Sequence, residues 1–262
     1  MIVAAGFSAG AITVQEIRAD GAADERAPTG ARPLSQAVSG LPLPLRPAFT
    51  VGRPRLLDAK EARARFAPAL EAVEARARPR FDAATVARLT RETEEGTTNV
   101  VLVLGEVRGP RGTWVHVRLP VLPNGRTGWV PRSALGGYRF VHTRLLVDRA
   151  RFTVTLLRDG RPLLRARVGV GRPAWPTPAG NFYIRDKVSG FDDPFYGPVA
   201  FGTSARSAVL TDWPGGGFVG IHGTNEPQLI PGRISHGCIR LRNDDILRLA
   251  RLMPVGTPVT IR

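Results

Sequence analysis

Apolar and polar positions change their period twice along the 262 residues of the chain. From Asn99 the period is two. Val100-Val101-Leu102-Val103-Leu104 is an unbroken apolar run, and Trp114 to Leu119 alternates, with Val115, Val117 and Leu119 on one face. This spacing predicts strands. Asn124-Gly125 is a hairpin signal, and Thr127-Gly128-Trp129-Val130-Pro131 follows it. Short strands joined by such turns predict a small barrel over residues 97–138. Further strands are predicted at Leu145–Asp148 and Phe152–Leu157, with Asp159-Gly160 turning the second into a strand from Leu163 to Gly171. Near the end the period lengthens. Ile246, Leu249, Ala250 and Met253 stand at helical spacing, with Asn243 as N-cap, Asp244 and Asp245 in the first turn, and Pro254 as the stop. Gly256–Ile261 then reads as a closing strand.

Upstream of Asn99 the pattern differs. Ala59–Phe66, Leu70–Ala77 and Thr85–Glu95 are rich in alanine, arginine and glutamate, and Asp58 stands where an N-cap would. Residues 56–96 are therefore predicted to be a helical segment with a solvated charged face. Residues 1–55 show no steady period and carry Pro42, Pro44, Pro47 and Pro54. They read as a tail or linker. Met1–Val14 is mildly apolar without a basic leader, as in the remnant of a signal whose start lies upstream. The expected order is thus tail 1–55, helical segment 56–96, small barrel 97–138 and a mainly β domain with one short helix over 139–262.

Charge narrows the partners. The formal net charge is +15, carried almost wholly by arginine, with Lys60 and Lys187 the lysines. A basic protein is drawn to anionic polymers, of which nucleic acid and the bacterial wall are two. No dense block of basic residues interleaved with aromatics is present, so nucleic acid is not the expected partner. One cysteine excludes a disulfide within the chain.

That cysteine is Cys238, in Ile234-Ser235-His236-Gly237-Cys238-Ile239-Arg240-Leu241, and His222 stands sixteen residues upstream of it. A lone cysteine is most simply a small buried apolar residue. Against that, two of the four histidines flank it, and Gly237 leaves the backbone beside the sulfur uncovered. A thiol attacks as thiolate, and an imidazole can take its proton. Strands ending at His222 and around Cys238, paired or adjacent, would bring the two together. His222, His236 and Cys238 could also ligate zinc, but no regular fourth-ligand motif accompanies them, and neither metal nor cofactor is expected. His116 and His142 read as strand residues without partners. Trp114 and Trp129 read as core, the alternative being a groove that binds peptide or glycan.

Ile221-His222-Gly223-Thr224, a spacer rich in glycine and proline, then Ser235-His236-Gly237-Cys238-Ile239-Arg240-Leu241 resembles the L,D-transpeptidase catalytic domain, also called YkuD. Val168–Gly171, Thr177-Pro178-Ala179-Gly180-Asn181-Phe182 and Tyr196–Ala200 resemble earlier parts of that family, and the resemblance covers roughly residues 140 to 262. Gly128-Trp129-Val130-Pro131 resembles bacterial SH3-like domains, which accompany wall enzymes. The resemblance implies a YkuD-like β-sandwich, a thioester on Cys238, peptidoglycan stem peptides as substrate, an extracytoplasmic place in the envelope and acylation by carbapenems. His222 would donate and accept protons, with the Gly223 carbonyl one candidate to fix its tautomer. Amides of Gly237 and Cys238, with His236, would form the oxyanion hole. Ser235, Arg240 and Thr224 would bind or orient substrate. Val188–Gly217, with Gly215-Gly216-Gly217, reads as a loop able to cover the site. The alternatives are an L,D-carboxypeptidase of the same fold and a non-catalytic wall-binding protein. A monomer is expected, anchored to wall polymer by the SH3-like part.

Overall fold

The computed structural model describes residues 55–56, 63–190, 193–210 and 217–262. The tail over residues 1–54, with its leader-like start, and the Asp58 cap lie outside them.

The first part of the chain builds one antiparallel sheet. Its strands are β1 (Arg55–Leu56), β2 (Ala64–Pro68), β3 (Val73–Arg76), β4 (Thr85–Leu89), β5 (Val100–Gly109), β6 (Gly112–Arg118), β7 (Thr127–Pro131) and β8 (Arg139–Val141). They lie in the order β4-β3-β7-β6-β5-β2-β8, with β1 also on β5. β5, β6 and β7 are the strands expected from Asn99 onward and pair as a meander, but they share their sheet with β2, β3, β4 and β8 instead of closing a barrel of their own; Val115, Val117 and Leu119 do share one core with Val101, Val103 and Val130. A 3₁₀ turn, Arg132–Ala134, leads on toward β8.

The helices expected within 56–96 are not there in the described residues: Ala64–Pro68, Val73–Arg76 and Thr85–Leu89 are strands. The helix preference of alanine, arginine and glutamate is worth at most about 0.7 kcal/mol per residue, and burial overrides it. Ala67 and Ala75 are fully buried, and a Cβ placed on Gly128 would come 3.0 Å from that of Ala75. Alanine stands there because the packing leaves room for one carbon. Glu74, Arg76 and Thr85, which suggested a solvated helix face, form a cross-strand cluster instead, with Arg76–Glu74 at 2.6 Å and Arg76–Thr85 at 2.9 Å.

The rest of the chain is a sandwich of β9 (Thr143–Asp148), β10 (Thr153–Arg158), β11 (Arg161–Arg167), β12 (Gly169–Gly171), β13 (Gly180–Ser189), β14 (Val199–Arg206), β15 (Phe218–His222), β16 (Gly232–Ser235), β17 (Ile239–Arg240), helix α1 (Asn243–Leu252) and β18 (Pro258–Ile261). The long β13 joins its two layers. Gly180–Tyr183 pairs with β18, and Ile184–Ser189 pairs with β14. The run read as one strand from Leu163 to Gly171 divides at Val168, whose N–H turns to Phe152 O, so that β12 joins the other layer. The stretch read as loop from Val188 holds β14, with Phe201 and Ala205 buried. Leu145, Val147, Val154, Leu156, Ile221, Ile239 and Ile246 belong to one core.

The two sheets share a third core. Phe66, Val100, Leu102 and Val141 pack with Tyr183, and Val255 lies against them. This explains why β2 and β5 lack alternation: successive residues are buried on opposite faces, one within the first sheet and one against the sandwich.

Candidate functional site

β15 and β17 lie side by side and parallel, with Ile221 opposite Ile239 and His222 opposite Arg240. Extending that register sets Cys238 opposite Gly220, on the same face as His222 and one diagonal away. The expectation that neighbouring strands bring His222 and Cys238 together is met, and the pairing is parallel. The Gly220 N–H points at Cys238 Sγ at 3.4 Å. A Cβ on Gly220 would lie 3.8 Å from both that sulfur and His222 Cδ2, so the space between them is open.

His222 is 1% exposed, and its Nδ1 lies 2.7 Å from Gly223 O. A carbonyl only accepts, so Nδ1 carries the proton and Nε2 presents its lone pair; Nε2 is buried with no partner in the protein. Burial pushes the His222 pKa down to about 4, the nearby Arg240 charge adds to this, and the Gly223 bond opposes it. Burial likewise pushes the Cys238 thiol up, while the Gly220 N–H and Arg240 pull it down. Both shifts favour the neutral thiol and the neutral imidazole.

The turn at Cys238 is held by two side chains. Ser235 Oγ donates to Cys238 O and accepts from Gly237 N at 3.1 Å. Thr177 Oγ1 donates to Gly237 O at 2.7 Å and accepts from Gly171 N at 2.9 Å. Gly237 sits at φ +121, where a side chain would be strained. These bonds bear on two expectations. Ser235 is 1% exposed and spends both hydroxyl functions on the turn, so it braces the backbone at Cys238 while also lining the cleft. The Gly237 N–H is occupied by Ser235 and is not free to hold an oxyanion.

The histidine's loop is held from α1. Asn243 is not the N-cap: that position is Arg242, without a side-chain cap bond. Asn243 Oδ1 instead accepts from Thr224 N at 2.9 Å. Gly223 is required beside it, because a Cβ there would meet Asn243 and lie 3.0 Å from Gly197 Cα. Thr224 is buried, its Oγ1 accepting from Glu226 N at 3.0 Å, and so it shapes the loop and does not face substrate.

Cys238 is half-buried in a cleft lined by Phe195, Tyr196, Phe218, Val219, His236 and Arg240. Phe195 and Tyr196 stand 5.9 and 5.1 Å from the His222 ring. His236 faces Trp175 at 4.6 Å. Arg240 is 3% exposed, paired with Glu226 at 3.1 Å and stacked over Phe195 at 4.1 Å. Among the described residues no three His, Cys, Asp or Glu side chains are grouped to hold a metal ion. His116 is stacked on Trp129 at 4.6 Å, and His142 bonds Asp159 at 2.8 Å. Trp114 and Trp129 are buried in a small core with Val107. The bracing roles of Thr177 and Asn243 and the place of Phe195 beside His222 were not read from the sequence. The Thr-Pro-x-Gly turn pointed at Thr177, but only as a turn.

Residues 142–261 match the family model of the L,D-transpeptidase catalytic domain, YkuD. The Bacillus subtilis protein YkuD, named as an L,D-transpeptidase, is 36% identical over 109 residues, covering 42% of this chain and 59% of that protein. Escherichia coli YcfS, named likewise, is 37% identical over 89 residues, 34% of this chain and 28% of that protein. A crystal structure of a mutant Enterococcus faecium L,D-transpeptidase aligns with a TM-score of 0.36 and 27% identity, over 46% of this chain and 49% of that one. The chain spans 56–64% of the length of the three Bacillus proteins it matches.

Proposed function

We propose that this chain is a peptidoglycan L,D-transpeptidase working through a thioester on Cys238. The observation that carries the reading is the His222 tautomer: Nδ1–H is committed to Gly223 O at 2.7 Å, so Nε2 keeps its lone pair, and His222 lines the same cleft as the chain's one thiol. The match of residues 142–261 to the YkuD family supplies the reaction class.

Because both partners rest neutral, the proton moves to Nε2 as sulfur attacks, not before. The Cys238 sulfur adds to the carbonyl of the third stem residue, and the C–N bond to terminal D-alanine breaks. The imidazolium returns its proton to that departing amine. A neighbouring stem's side-chain amine then attacks the thioester, loses its proton to His222, and the thiol is regenerated. The Cys238 N–H is the backbone donor left for the oxyanion once Ser235 holds Gly237, and His236 lies at the same mouth. Arg240, anchored on Glu226, supports developing negative charge on sulfur and sets the Phe195 wall.

The meander Val100–Pro131 with its following 3₁₀ turn supports reading residues 97–138 as part of an SH3-like module that anchors the enzyme to wall polymer. An extracytoplasmic place in the envelope follows from the substrate. The decisive assay is the full chain with a purified tetrapeptide muropeptide, read by product mass. A cross-linked dimer less one D-alanine supports transpeptidation. A tripeptide alone makes water the acceptor and the enzyme an L,D-carboxypeptidase. No turnover by folded protein, with Cys238 reactive toward alkylation, would reject both.

A further inference from the structure

The first sheet reaches the wall of the cleft at two separate points. Asn124, in the loop between β6 and β7, lies 82 residues from Arg206 in sequence, yet its side chain does what a neighbouring strand would. Its Nδ2 donates to Arg206 O at 2.7 Å and its Oδ1 accepts from Arg206 N at 2.9 Å. Arg206 ends β14 and stands opposite Phe218 in the ladder with β15. The second contact comes from Glu94, which holds Arg185 at 2.9 Å; Arg185 is 2% exposed, and its guanidinium lies 3.9 Å over the Phe218 ring. The Arg206 guanidinium lies 4.5 Å from the same ring. Both contacts thus end on the Arg206–Phe218 rung, and Phe218, Val219 and Ser207 face the cleft that holds Cys238.

We propose that Asn124 and the Glu94–Arg185 pair are positioning residues for the substrate cleft, so that the first sheet sets how the acyl donor is held. The inference rests on the function proposed above for its substrate, but not for its geometry. The burial supports it: a buried guanidinium over an aromatic face has one low-energy arrangement when its carboxylate partner is fixed, and loses it when the partner goes. Asn124 makes a paired bond to one residue, which fixes the angle of the strand end as well as its position. Neither residue touches the thiol, the imidazole or the turn at Gly237, so their loss should alter donor placement and leave the nucleophile as it is.

The test uses the full chain and four variants: Asn124→Ala, Glu94→Ala, Glu94→Gln and the double alanine. Three quantities are read: alkylation of Cys238 by iodoacetamide, acylation of Cys238 by a muropeptide donor, and amide exchange at the Arg206–Phe218 rung. The expected result is iodoacetamide reactivity within about twofold of wild type, with donor acylation about tenfold slower through a raised KM, since small misplacements cost rate without altering the nucleophile. Exchange at the rung should quicken in the same variants. Glu94→Gln, which keeps an oxygen for Arg185, should recover most of the loss, and the double variant should exceed either single one. Equal losses in alkylation and acylation would show general loosening and overturn the proposal. Unchanged acylation and exchange in Asn124→Ala would overturn it as well. If wild type alkylates but accepts no acyl group, the function proposed above fails. The exchange data then judge the coupling alone: quickened exchange at the rung supports it, and unchanged exchange rejects it.

Discussion

The first sheet and the sandwich are both antiparallel in the main and both well buried, but they use sequence differently. In the sandwich, β9 and β10 alternate: Leu145, Val147, Val154 and Leu156 go in, and Arg144, Leu146 and Thr155 face outward more. In the first sheet, β2 and β5 bury consecutive residues, Phe66 then Ala67 and Val100 through Val103, because they are covered on two faces. A strand with one wet face announces itself by period. A strand covered on both faces, and built partly of alanine, resembles a helix as much as a strand. The division of labour differs too. The sandwich holds Cys238 and His222, while the first sheet supplies a cover for Tyr183 and Val255 and two contacts to the cleft wall.

The sharpest way to test that division is to remove chemistry while keeping structure. Cys238→Ala should abolish acylation and turnover with an unchanged melting temperature, measured by intact mass and calorimetry. A carbapenem should add its own mass once to wild type and not to this variant. Turnover by the folded variant would break the covalent mechanism.

His222→Ala should slow acylation by roughly 10²- to 10⁴-fold, as removal of a general base does, and far more than His236→Ala. His222 lines the cleft with its Nε2 buried and without a partner, whereas His236 packs on Trp175. Single-turnover acylation by a reactive donor gives the order, and its reversal would move the base to His236.

The structural half of the comparison is tested at Phe66, which is 7% exposed and fills the core between the sheets. Phe66→Ala should cost about 3–5 kcal/mol of stability by denaturant melting, without changing the cysteine's alkylation once folded. For the same reason, cutting away residues 1–138 should not leave an intact sandwich, although a complete set of strands in the sequence suggests that it would. Such a cut exposes Tyr183 and Val255, which Phe66, Val100 and Leu102 cover. A truncated chain that melts like the full one would show the shared core to be dispensable.

The smallest effect is that of pH. His222 has a folded pKa of about 4, below the ordinary unfolded value near 6.5. The unfolded chain then binds the extra proton first, so this contribution is whole above about pH 6.5 and is lost as pH falls toward 4. It amounts to on the order of 3 kcal/mol. The acid limb of acylation should fall near pH 4 for the same reason. In His222→Asn the stability loss across this window should shrink; an unchanged loss would assign it to other groups.

The sequence by itself determined the candidate site and most of the sandwich. The Ser-His-Gly-Cys turn, the upstream histidine and the period-two runs are local patterns, and local patterns survive reading along the chain. Even the Gly223 carbonyl was legible as one candidate partner, being one residue from His222. What the tertiary structure alone decided involves partners far apart in sequence: Asn243 reaching back to Thr224, Thr177 fixing Gly237 across 60 residues, Asn124 holding Arg206 across 82. The same holds for Ala67 and Ala75, whose helix preference is small beside the burial that a neighbouring sheet provides. It holds also for the amides beside Cys238, since only the folded turn shows that Ser235 already occupies that of Gly237. Propensity and motif are properties of neighbours in sequence, whereas burial and hydrogen-bond occupancy belong to neighbours in space.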